Sequence, residues 1–113
     1  MKKEFIPYEQ ALALKELGFD EECLGYYFNK QLSFGAKTSY GEVVEVPLYQ
    51  QAFRWFRDKG YVNSIRSLSM FNHEYSIITG VHIDDEILSN SYYTYDEAEL
   101  ACLKKLIEIV KTK

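Results

Sequence analysis

Apolar residues near the start of the chain recur at helical spacing. In "PYEQALALKELGF", Ala11, Leu14 and Leu17 share one face, Pro7 suits a first turn, and Gly18-Phe19 has the form of a C′ glycine with its hydrophobic contact. The spacing predicts a helix over about residues 8–17. The period then drops to two. In "CLGYYFNKQLSF", Leu24, Tyr26 and Phe28 alternate with Gly25, Tyr27 and Asn29, which predicts a strand. "EVVEVP" predicts a second short strand that Pro47 ends, and "GAKTSYGE" between them reads as the loose tip of a hairpin.

Helical spacing returns in "PLYQQAFRWFRDKGY". Tyr49, Ala52, Phe53 and Phe56 form an apolar face that Leu48 and Trp55 extend, while Gln50, Gln51, Arg54, Arg57 and Asp58 occupy the rest. Lys59 and Gly60 supply a cation and a glycine at the helix end. Trp55 therefore belongs to a core face and the arginines to a solvated rim. "YVNSIRSLSMFNHEYSIITGVHI" predicts two more strands turning at "FNHE", with His73 in the turn. "DDEILSNSYY" reads as a loop, with room for one helical turn. In "YTYDEAELACLKKLIEIVK", Thr94 and Glu97 form a capping box, which predicts a helix over 95–111. The order is α-β-β-α-β-β-α. It predicts an α+β domain spanning residues 1–113, with three helices on one small antiparallel sheet of about four strands.

Composition supports a folded chain. Of 113 residues, 47% are hydrophobic and 16% aromatic, including ten tyrosines, whose rings pack while their hydroxyls stay wet. The net charge of −4 argues against a protein that grips nucleic acid by its phosphates. Cys23 and Cys102 form no CxxC, so neither zinc nor dithiol redox chemistry is supported. No apolar segment follows Lys2-Lys3, and no run reaches the length of a membrane span. A cytoplasmic location and free, packed thiols are expected.

Few residues suggest chemistry. His82, Asp84, Asp85 and Glu86 resemble metal ligands, but metal binding needs three or four convergent groups and no second cluster supplies them. No serine lies in a nucleophile elbow, and no glycine loop cradles phosphate, so no catalytic or cofactor-binding set emerges. The reading leans away from an enzyme. Arg54, Arg57, Lys59 and Arg66, with Tyr27 and Tyr61, would be the basic and aromatic surface of a nucleic-acid binder, though four cations on an acidic chain make a weak footprint. The last helix has an apolar arc of roughly 200° at 100° per residue, wider than one packed face requires. Leu100, Leu103 and Ile107 are therefore expected at the surface, as the interface of a two-fold homodimer.

Three segments together resemble a family. "EFIPYEQALALKELGF", "PLYQQAFRWFRDKG" and "YTYDEAELACLKKLIEIVK" are similar to an ALxLKELGF helix, a PxxQxxxxWxR helix and a TYxEAExxCLxKLIE helix of small phage and prophage proteins of Bacteroidetes. Pro47, Trp55 and Arg57 supply the middle motif, and Thr94, Tyr95, Glu97, Ala98 and Glu99 the last. The resemblance implies a mobile-element origin and no particular activity. It leaves three expectations: a protein that binds itself or a host or phage protein, a holder of a small ligand or nucleotide, and a weak nucleic-acid binder.

Overall fold

The computed structural model describes residues 4–34, 43–79 and 86–112. The class is α+β, with three helices and six strands in two antiparallel sheets. The chain divides into two compact units, residues 1–51 and 52–113, and the division falls inside the middle helix after Gln51.

In the first unit, helix α1 (Tyr8–Glu16) precedes strands β1 (Gly25–Phe28), β2 (Gln31–Phe34) and β3 (Val43–Val46), in the sheet order β2-β1-β3. Ala11 and Leu14 are the buried stripe of α1. The helix ends in a Schellman motif: Phe19 N–H donates to Leu14 O at 2.9 Å and Gly18 N–H to Lys15 O at 3.1 Å. That geometry needs φ of +102° at Gly18, where a side chain would be strained. The single strand predicted across "GYYFNKQLSF" is two strands. Asn29 and Lys30 both take positive φ, 50° and 70°, as a two-residue I′-type turn requires, and fold the chain back on itself. Without an Asn-Gly pair, the alternation runs through the turn and hides it. β1 also pairs with β3, as expected of the two predicted strands.

Helix α2 (Tyr49–Asp58) carries the predicted amphipathic pattern. Tyr49, Ala52, Phe53, Trp55 and Phe56 are buried, and Gln50, Arg54, Arg57 and Asp58 are exposed. It too ends in a Schellman motif, with Tyr61 N–H donating to Phe56 O at 3.0 Å and Gly60 at φ +99°.

The second unit continues with β4 (Val62–Ser69), β5 (Asn72–Ile78), β6 (Glu86–Leu88) and α3 (Tyr95–Lys111), in the sheet order β4-β5-β6. Two expectations change here. The β4–β5 turn lies at Met70-Phe71 rather than "FNHE", so His73 is a strand residue. "EIL" in the predicted loop is an edge strand; with three residues it is too short to show a period. Helix α3 begins at its capping box: Glu97 N–H donates to Thr94 Oγ1 at 3.1 Å and the Thr94 hydroxyl to Glu97 Oε1 at 2.9 Å. It packs on β4 and β5 and buries Ala98, Cys102, Leu103, Leu106 and Ile107.

Candidate interaction site

The end of the β4–β5 hairpin is built around His73. Ser67 pairs with His73 and Ser69 with Asn72, so Leu68 is an extra residue on β4 and the register shifts there. Such a bulge twists a strand and re-aims its side chains. Ser67 and His73 point to the same face, and the Ser67 hydroxyl meets His73 Nδ1 at 2.7 Å. On the other side of the ring, Nε2 lies 3.0 Å from the Met70 carbonyl. A carbonyl only accepts, so Nε2 donates to it, and Nδ1 shares its contact with the Ser67 hydroxyl, which can serve as donor or acceptor. Both nitrogens are thus satisfied within the turn. The pair has the spacing of a nucleophile and base, but its bonds tie the hairpin end together.

A second strap holds the same end. His73 and Tyr92 exchange main-chain bonds of 2.9 and 2.7 Å, which fixes the segment leading into α3 beside the hairpin. Ser89 reinforces it by accepting from Tyr75 N–H at 2.8 Å, and the Tyr75 and Tyr92 rings stack 6.3 Å apart. This places Tyr93 over Phe71, with ring centroids 4.8 Å apart and planes 12° from parallel. Tyr95, the first residue of α3, meets His73 edge-on at 6.0 Å.

These rings are not core. Phe71 is 57% exposed, Tyr93 63% and Met70 79%, with Leu68 and Tyr95 also exposed. Two large rings stacked on each other in water still leave most of their apolar area wet. Soluble monomers seldom keep such a patch unless something docks there. Exposed acids Asp96 and Glu97 directly follow Tyr95 in the first turn of α3.

The sequence singled out other residues. Leu103 and Ile107, expected at the surface, are buried, and Leu100 is half-buried. The reason is that α3 lies across two strands, β4 and β5, which cover more of its circumference than a single contact line would. The homodimer face expected on α3 loses two of its three residues. Of the basic and aromatic set, Arg54, Arg57 and Lys59 are exposed on α2 and just after it, and Tyr61 is half-buried. Lys59 places its ammonium 4.5 Å from the Trp55 ring centroid, and Arg66 is paired with Glu74 across β4 and β5. Tyr27 belongs to the first unit and donates its hydroxyl to Ile6 O at 3.0 Å. Lys59 and Arg66 are thus engaged within the chain.

Burial pushes the Cys102 thiol up to about 12, with the Glu99 carboxylate adding to the rise, so it stays a neutral core group. Glu99 itself is lifted to about 7, first by burial and then by repulsion from Asp96. Among the described residues, no group of three His, Cys, Asp or Glu side chains could hold a metal. His82, Asp84 and Asp85 lie outside the described residues, while Glu86 is exposed on β6. Among the described residues, no helix is long and apolar enough to cross a membrane. Comparison with family models, curated proteins and solved structures finds no match.

Sequence reasoning missed the Phe71–Tyr93 cluster. Its one sequence signal was "LSMFN", an apolar group at a hairpin turn, where polar residues are the rule.

Proposed function

We propose that this chain is a non-enzymatic, phage- or prophage-associated interaction protein of the cytoplasm, and that it holds a partner protein at the end of the β4–β5 hairpin. The observation that carries this reading is the stacked and largely exposed Phe71–Tyr93 pair on a hairpin end tied by His73. A rigid aromatic anchor loses little conformational freedom on binding, which is what makes aromatic residues dominate interface energetics. The neighbouring acids select the partner. Asp96 and Glu97 favour an apolar surface with basic residues beside it, whereas a two-fold self-contact would bring like charges together. The occupant is therefore a different chain from this one.

The test compares co-purification by tagged wild type with that by the Phe71→Ser/Tyr93→Ser double variant in the native host. The reading expects a discrete protein retained by wild type and lost by the variant, with reconstitution from purified components at a matching loss of affinity. An identical set of proteins on both baits contradicts it.

A further inference from the structure

The turn between β1 and β2 keeps a lysine where glycine would fit better. Lys30 sits at φ 70° after Asn29 at φ 50°. Asparagine tolerates the left-handed region, but a long side chain there is strained, and Asn-Gly is the favoured pair for this turn. Backbone strain that persists is a reason to ask what the side chain does.

Lys30 lines a surface depression of about 530 Å³ together with Tyr27, Gln31 and Leu32. That volume lies within the range of small-molecule sites. Its aromatic wall is fixed from two sides. The Tyr27 hydroxyl is tied to the Ile6 carbonyl at 3.0 Å, and the Tyr8 ring meets Tyr27 edge-on, with centroids 5.4 Å apart and planes at 88°. Leu32, the cross-strand partner of Tyr27, adds an apolar surface. The Lys30 ammonium stands 5.9 Å from the centroid of the Tyr8 ring, which steadies a cation beside the depression.

We propose that this depression, in the first unit and separate from the hairpin end of the second, binds a small ligand in which a planar ring carries an anionic group. The ring lies against Tyr27 and Leu32, and the anion meets the Lys30 ammonium. Mononucleotides and aromatic carboxylates share this chemistry. One lysine beside one aromatic wall makes a modest site, so binding at micromolar to millimolar concentration is the relevant range.

The experiment titrates the full chain with a mononucleotide, its uncharged nucleoside, inorganic phosphate and benzoate, followed by the NMR shifts of Tyr27, Lys30 and Leu32. Lys30→Gly separates binding from folding, because glycine relieves the turn while removing the cation. Saturable shifts are expected for the mononucleotide, for benzoate or for both, and the stronger of the two identifies the source. The nucleoside and phosphate should each bind about tenfold more weakly, and Lys30→Gly should lose about tenfold in affinity, the worth of one charge-assisted contact. The same variant should melt no lower than wild type. Absence of saturable shifts with any probe overturns the proposal. So does phosphate binding as tightly as the ring-bearing anions, or affinity unchanged in Lys30→Gly.

Discussion

Ser67 and His73 are cross-strand partners whose Oγ and Nδ1 lie 2.7 Å apart. With the Met70 carbonyl on Nε2, that contact sets the shape of the hairpin end that presents Phe71. Ser67→Ala leaves a ring nitrogen of a buried histidine without its partner, at a cost of about 1–3 kcal/mol. Urea denaturation measures it. A variant as stable as wild type would show that the contact does not hold the tip.

Trp55 is buried on α2 edge-on to Phe56, ring centroids 5.0 Å apart, with the Lys59 ammonium 4.5 Å from its own centroid. Trp55→Ala should destabilise the protein by about 3–5 kcal/mol. An unchanged melting temperature would contradict a core role for the tryptophan.

At the start of α3 the Thr94 hydroxyl accepts the Glu97 N–H and donates to the Glu97 carboxylate. Thr94→Ala should cost about 1 kcal/mol, and Thr94→Ser should recover most of it. Parallel urea titrations of the two variants measure this. If serine fails to restore stability, the hydroxyl is not the stabilising group.

Glu99 gives a pH dependence of definite sign. Its folded-state value is raised from 4.5 to about 7, so the folded chain holds this proton more tightly than the unfolded chain does. The contribution of Glu99 to stability is greatest below the unfolded value, falls as pH rises through that window and levels off above about 7. Glu99→Gln should flatten the fall and stabilise the protein at about pH 8, by about 1 kcal/mol or less because the group is partly solvated. Thermal melts across the window check it. A variant with the same slope as wild type would contradict the assignment.

How much could be read from the sequence depended on length and on local chemistry. Helix α3 is 17 residues long and carries a capping box and a continuous apolar arc, so its bounds near 95 and 111 were legible. Helix α2 was legible in the same way, and its Schellman glycine marked its end. The strands fared worse. Alternation predicted one strand across Asn29-Lys30 because nothing in the side-chain pattern marks a turn that uses lysine at positive φ. Three-residue β6 is defined by its pairing with β5, which is a non-local fact. His73 falls in the turn that "FNHE" suggests, whereas the chain turns at the apolar Met70-Phe71 and His73 pairs with Ser67. The candidate site was hidden for the same reason. Phe71 and Tyr93 are far apart in sequence and meet only through the His73–Tyr92 bridge, while the α3 arc that looked exposed is covered by the same sheet.

The most direct test of the hairpin end as an interaction surface is photo-crosslinking in the native host. The photoreactive benzoylphenylalanine is placed at position 71, at 93 and, as a control, at the exposed position 57 on α2. The account predicts one discrete adduct from 71 and 93, heavier than this chain by the mass of a different protein, and none from 57. An adduct of twice this chain's mass, or no adduct at 71 and 93, contradicts it.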